Sequence, residues 1–203
     1  MIIRPASLLD LDAFYDVCLR TGDGGRDASG MLDDPRLLGE VYVGPYLHLP
    51  TGRAMAAQDA AGVGAYVLAA VDTATFEAEA EAHWWPPLRE HHPVPESTDT
   101  SVDAELIRLI HRPPVRDTDI AARYPAHLHI DLLPRLQGRG LGRRMMDAMI
   151  GLLADEGVRG MHLEVDPTNH RAIGFYEHLG FTTLSATDDG VVMGLVSQAA
   201  GTP

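Results

Sequence analysis

Lysine is absent from the 203 residues, and cysteine occurs once, at Cys18. One cysteine excludes an internal disulfide and a cysteine-based zinc site. It is compatible with a reducing cytoplasm, the compartment expected here. No apolar run reaches the ~18 residues that suggest a membrane span, so no membrane association is expected. The longest run, around 60–71, carries glycines and reads as strand. The opening residues lack a basic start followed by an apolar core, so no secretory leader is expected. Positive charge is scarce: 16 arginines face 29 acidic residues, for a net charge of −13. Binding to nucleic acid needs a basic face that neutralises phosphates, so it is not expected either. A cationic amine substrate is electrostatically tolerated.

The apolar and charged fractions, 45 % and 22 %, are those of a globular protein rather than a disordered one. The length and the weak linkers predict one domain over 1–203, with a frayed tail at 197–203. A short strand over 2–6 leads to Ser7, which caps a helix of apolar period through Leu8, Leu11, Phe14, Tyr15, Cys18 and Leu19. Pro35 opens a second helix with Leu37, Leu38, Val41 and Tyr42 on one face. Strands over 51–58 and 64–71 form a hairpin around Asp59-Ala60-Ala61-Gly62. The stretch 72–125 is an elaboration of helices and loops, with helical runs over 73–83 and 102–111. Between them lies Trp84-Trp85-Pro86-Pro87, whose tryptophans are expected to plug a local core. From 126 the order is regular: strand 126–133, helix 138–156, strand 161–165, helix 169–179, then strands 181–184 and 191–196. That is an α/β layer pattern.

The most informative stretch is Leu132-Leu133-Pro134-Arg135-Leu136-Gln137-Gly138-Arg139-Gly140-Leu141-Gly142-Arg143-Arg144. A strand enters glycines, and a helix starts directly behind them. Backbone N–H groups there lack intrahelical partners, and the helix dipole adds positive potential. Glycine lets a phosphate approach the backbone closely, so the junction suits a pyrophosphate. It is neither a Walker loop nor a Gly-x-Gly-x-x-Gly dinucleotide fingerprint.

Gln137-x-x-Gly140-x-Gly142 resembles the pyrophosphate loop of the GNAT superfamily of acetyl-CoA-dependent N-acetyltransferases. The likeness extends to Leu163-Glu164-Val165 and to Asn169-His170-Arg171-Ala172-Ile173-Gly174-Phe175-Tyr176-Glu177-His178-Leu179-Gly180-Phe181. It is sharp over 126–184 and loose over 1–71. It implies an α/β (α+β) fold: a mixed, mostly antiparallel sheet with a central splayed parallel strand pair and helices on both faces. The splay would admit the pantetheine arm of acetyl-CoA, held by the backbone of Leu132 and Leu133. Gln137, Gly138, Arg139, Gly140, Leu141, Gly142 and Arg143 would hold the pyrophosphate, with Arg143 and Arg144 near the adenosine-side phosphates. Asn169 would bind near the pantetheine or bridge the strands. Ala172 would also contact the cofactor, and Phe175 and Tyr176 would line the thioester end. Arg123–Pro134 and Trp84–Arg89 also resemble bacterial GNAT proteins related to the acetyltransferase-like domain of O-GlcNAc hydrolases.

Acetylation of an amine needs a proton acceptor for the nitrogen and benefits from a donor to the departing thiolate. By resemblance the donor is Tyr176. Glu164 is the first choice of base, since it stands where ribosomal-protein alanine acetyltransferases carry their glutamate. Alternation puts His162, Glu164 and Asp166 on one face of their strand and His127, His129 and Asp131 on one face of theirs. This keeps Asp131 and His129 as alternative bases; no metal site is expected. The acceptor is a small-molecule or peptide amine, and a homodimer is expected by analogy. The competing reading is a non-catalytic acetyl-CoA-binding or interaction module.

Overall fold

The computed structural model describes residues 1–196; the expected tail at 197–203 lies outside them. In chain order the elements are β1 (Ile2–Pro5), α1 (Leu11–Leu19), α2 (Leu37–Tyr42), α3 (Gly44–His48), β2 (Gly52–Asp59), β3 (Gly62–Ala70) and α4 (Thr73–Glu79). They continue with α5 (Trp85–His91), α6 (Val102–His111), α7 (Thr118–Arg123), β4 (Ala126–Leu132), α8 (Leu141–Asp155), β5 (Gly160–Val165), α9 (His170–His178), β6 (Thr182–Ala186) and β7 (Val191–Val196). The strands form one seven-stranded sheet in the order β1-β2-β3-β4-β5-β7-β6. Every neighbouring pair is antiparallel except β4 and β5. The mixed sheet with one central parallel pair is the architecture that the resemblance implies.

Strand alternation sends two sets of side chains to opposite faces. Ala56, Tyr66, Leu68 and Ala70 meet α1–α6 through Phe14, Leu37, Phe76, Trp85 and Ile110. Ala57, Ala65, Val67, Ala126 and Leu128 meet α8 and α9 through Leu141, Met145, Met149 and Tyr176. Residues 72–125 thus thicken the first face.

Two elements there were not evident in the sequence. Trp84-Trp85-Pro86-Pro87 enters α5, reached from α4 through a π-helical turn at Ala80–Trp84. The prolines fall in the first turn, where no N–H donor is needed. Trp85 is in the core and Trp84 packs against it, donating its indole N–H to Glu40 O at 2.9 Å, as core plugs rather than ligand platforms. Helix α7 is capped by Asp117, whose carboxylate accepts from the amides of Asp119 and Ile120.

Close packing against Trp84 sets a test. A Cβ at Gly44 would run into its indole, whereas one at Gly30 would meet nothing. Gly44→Ala should lower stability by about 1–3 kcal/mol through overpacking. Gly30→Ala should stay within about 0.5 kcal/mol, both read from urea midpoints.

Candidate active site

Strands β4 and β5 pair over two positions, Ala126 with Met161 and His127 with His162, and then part. On its other edge β4 stays bound to β3: Leu133 donates its N–H to Gly64 O at 2.9 Å. Successive residues of a strand direct their backbone polar groups to opposite edges. The N–H and C=O of Ile130 and Leu132 therefore face the gap left by β5, and those of Leu133 do not. Leu133 had been paired with Leu132 as a gap-lining residue; Ile130 takes that place, because its parity matches.

The glycine turn closes the wide end of the gap. Gly138 and Gly140 adopt φ of 74° and 68°, the left-handed region that favours glycine. Arg144 donates to Gly140 O, so the amides from Gly138 to Gly142 precede the first closed turn of α8. Four of the sixteen arginines, Arg135, Arg139, Arg143 and Arg144, lie in this short stretch of an acidic chain. Gly142 leaves room for the Phe175 ring; a Cβ there would stand 3.3 Å from its Cζ. Gln137 ties the turn to β4 and α9: its amide nitrogen donates to Leu132 O at 2.8 Å, and its oxygen accepts from Arg171 at 3.0 Å. Arg135 lies over Gly64 and donates to Val63 O at 3.1 Å, anchoring the turn to the β2–β3 hairpin. Unbonded amides, glycine conformations and local positive charge together fit a pyrophosphate.

Helix α9 supplies the floor on the α8 side. Asn169 is its N-cap, accepting from the Ala172 N–H at 3.0 Å. Phe175 and Tyr176 follow, with ring centroids 5.3 Å apart. Tyr176 is 8 % exposed and packs on Phe181, and its hydroxyl makes no hydrogen bond to a described residue. Burial, then the charge of Asp131, pushes its phenol well above the ordinary range.

The other face of the gap carries the histidines and acids on β4 and β5. His127 is fully engaged. Thr73 Oγ1 donates to Pro125 O, so it accepts from His127 Nδ1 at 2.9 Å, and Tyr46 OH donates to Nε2 at 2.7 Å. His162 Nδ1 donates to Tyr124 O at 2.7 Å, leaving Nε2 buried and unpaired. His129 is half-buried and 6.0 Å from His127 between ring centroids; burial, Arg116 and His162 push its pKa down to about 3. Burial likewise holds His127 and His162 below the ordinary histidine value. Asp131 accepts from Tyr66 OH at 2.6 Å. Glu164 is exposed and leans over Gly190, with Tyr42 nearby. Tyr42, expected on the packed face of its helix, is 41 % exposed.

The gap is thus a window through the sheet, with Tyr176 on one side and His129, Asp131 and Glu164 on the other. Comparison with known proteins matches this geometry. A model of the acetyltransferase (GNAT) family matches residues 104–181. The crystal structure of SsHAT superposes with a TM-score of 0.87 at 37 % identity, covering 96 % of this chain and 97 % of that one. The chain belongs to the GNAT acetyltransferase family. It is also 27 % identical over 180 residues to protein O-GlcNAcase of Rattus norvegicus, matching 88 % of this chain. It spans only about a fifth of that relative's length. The ribosomal protein bS18-alanine N-acetyltransferase of Salmonella typhimurium is 36 % identical over 72 residues, which cover 30 % of this chain and 49 % of that protein. These matches agree with both resemblances drawn from the sequence. Within this GNAT domain the sequence had singled out Gln137–Arg143, Glu164 and Tyr176. It did not single out Ile130 or Tyr66. Period-two counting from the loop could have found Ile130, but nothing local marks Tyr66.

Proposed function

We propose that this chain transfers an acetyl group from acetyl-CoA to a primary amine, by direct attack in a ternary complex. The observation that carries the reading is the gap after His127 and His162, toward which the backbone of Ile130 and Leu132 turns, away from β3. Ile130 and Leu132 would hold the pantetheine as an added strand, with Leu133 fixing the end of β4 to β3. Gln137, Gly138, Arg139, Gly140, Leu141, Gly142 and Arg143 would hold the pyrophosphate. Asn169 and Ala172 set the start of α9, which brings Phe175 and Tyr176 to the thioester end. When bound, acetyl-CoA supplies an activated acyl carbon. Tyr176 donates a proton to the departing sulfur, a task suited to a phenol that burial keeps protonated. Glu164 takes a proton from the nitrogen on the opposite side of the gap.

The chain acts as one domain in this reading, and no cation-rich surface for nucleic acid is required. Among the described residues, no helix is long and apolar enough to cross a membrane. The acceptor is a small-molecule or peptide amine.

Calorimetric titration with acetyl-CoA, beside CoA and ATP, tests the donor. Saturable one-to-one binding of acetyl-CoA is the expected result, followed by thiol release with a panel of primary amines. Failure to bind at millimolar acetyl-CoA would end the proposal. Binding without thiol release from any amine would favour the acetyl-CoA-binding module instead.

A further inference from the structure

Asp131 is a carboxylate without a cation. It stands on β4 beside the gap, one residue before Leu132, and is half-buried. The groups around it are Tyr66 from β3, Cys18 from α1, Thr21 from the turn after α1, His129 from its own strand, and Tyr176 from the other side of the gap. None is positively charged at neutral pH. Burial pushes the Cys18 thiol up to about 12 and holds His129 neutral. Among the described residues no arginine pairs with Asp131; its Oδ2 accepts from Tyr66, and the Thr21 hydroxyl nearby donates to Val17 O. A partly desolvated, unpaired negative charge is costly unless something positive arrives. Beside the gap, Tyr176 belongs to the α8 and α9 side of the sheet and Asp131, bonded to Tyr66, to the other.

We infer that Asp131 meets the acceptor nitrogen itself, receiving it as an ammonium ion and removing its first proton, so that the acceptor is an alkylamine cationic at neutral pH. This rests on the acetyltransferase reading. The protons balance as follows. R–NH3⁺ gives one proton to Asp131, and the nitrogen lone pair attacks the thioester carbon. The C–N bond forms and the C–S bond breaks, with its electron pair leaving on sulfur, which takes the Tyr176 proton. The nitrogen's second surplus proton passes to Glu164. Solvent restores Tyr176 and both carboxylates, and one proton is released overall. Tyr66 is a positioning residue: it fixes one carboxylate oxygen and leaves the other for the amine. Burial raises the Asp131 carboxyl above the ordinary range, and the Tyr66 hydroxyl limits the rise.

The test is the titration of Asp131 followed by carbon-13 NMR of its carboxyl, assigned by its loss in Asp131→Asn, in protein saturated with CoA. The probe is 1,4-diaminobutane, a diammonium at these pH values. The expected midpoint lies above the usual carboxylate range, falls when the diamine is added, and rises in Tyr66→Phe. In turnover, Asp131→Asn should move the acidic limb of the kcat/KM profile to lower pH, since Asp131 no longer sets it, and lower kcat/KM about 100-fold or more. Its affinity for acetyl-CoA should stay within twofold of the parent. A midpoint that ignores the diamine overturns the inference, as does an unchanged acidic limb. If the parent protein does not bind acetyl-CoA, the acetyltransferase reading fails instead, and the two failures are distinct.

Discussion

Acidification below pH 6.5 should destabilise the fold by up to about 4 kcal/mol per pH unit, the slope set by three protons taken up on unfolding. His127, His129 and His162 supply them. Burial lowers the pKa of each in the folded protein, His129 to about 3. An unfolded histidine titrates near 6.5, so below that pH the unfolded chain binds more protons than the folded one. The stability is therefore whole above about pH 6.5 and is lost as pH falls toward the folded values. Asp131 acts in the opposite sense, because its raised carboxyl binds a proton earlier in the folded protein. It offsets one proton of three, and only in the carboxylate range. Urea midpoints at half-unit steps from pH 7.5 to 4.5 give the slope. His129→Gln is the informative variant, since that ring makes no hydrogen bond to a described residue; it should flatten the slope by about a third. Changing His127 instead would strand the hydroxyls of Tyr46 and Thr73. A stability that stays level to pH 5 would mean that these rings are charged in the folded state.

Tyr176→Phe should cut kcat by about 10²- to 10⁴-fold, the usual range for loss of a positioned proton donor. Acetyl-CoA affinity should stay within twofold. Phenylalanine keeps the ring contacts with Phe175 and Phe181, so the helix and its packing persist. Only the hydroxyl goes, and no described residue depends on it. Phe175 and Leu132, the side chains beside Gly142, offer no proton. The readout is thiol release at saturating acetyl-CoA, with the affinity measured separately. A variant within threefold of the parent removes the donor role from Tyr176. If Glu164→Gln is equally active, both role assignments fail together.

The C-terminal half of the fold was legible because its signals are local. Glycines at positive φ mark Gly138 and Gly140, alternation marks β4 and β5, and Asn169 ahead of an apolar period marks the start of α9. The region between β3 and β4 was only partly so. Asp117 caps a helix with no buried residue, too weakly periodic to stand out. Pro86 and Pro87 read as an interruption, yet they occupy a first turn that follows a π-helical one.

The chain by itself therefore determined the order of elements from β4 onward, the glycine turn before α8 and the face that each strand residue takes, since all three follow from steric and periodic rules within a few residues. Tertiary structure alone decided the rest. Whether Leu133 or Ile130 lines the gap depends on which edge of β4 is already bound to Gly64. Whether His127 is free depends on hydroxyls from Tyr46 and Thr73, far away in sequence. Whether Asp131 is an idle strand carboxylate or a charge awaiting a cation depends on α1 and β3 surrounding it without one. Hydrogen-bond partners and dielectric surroundings come from residues distant in the chain, and no local pattern encodes them.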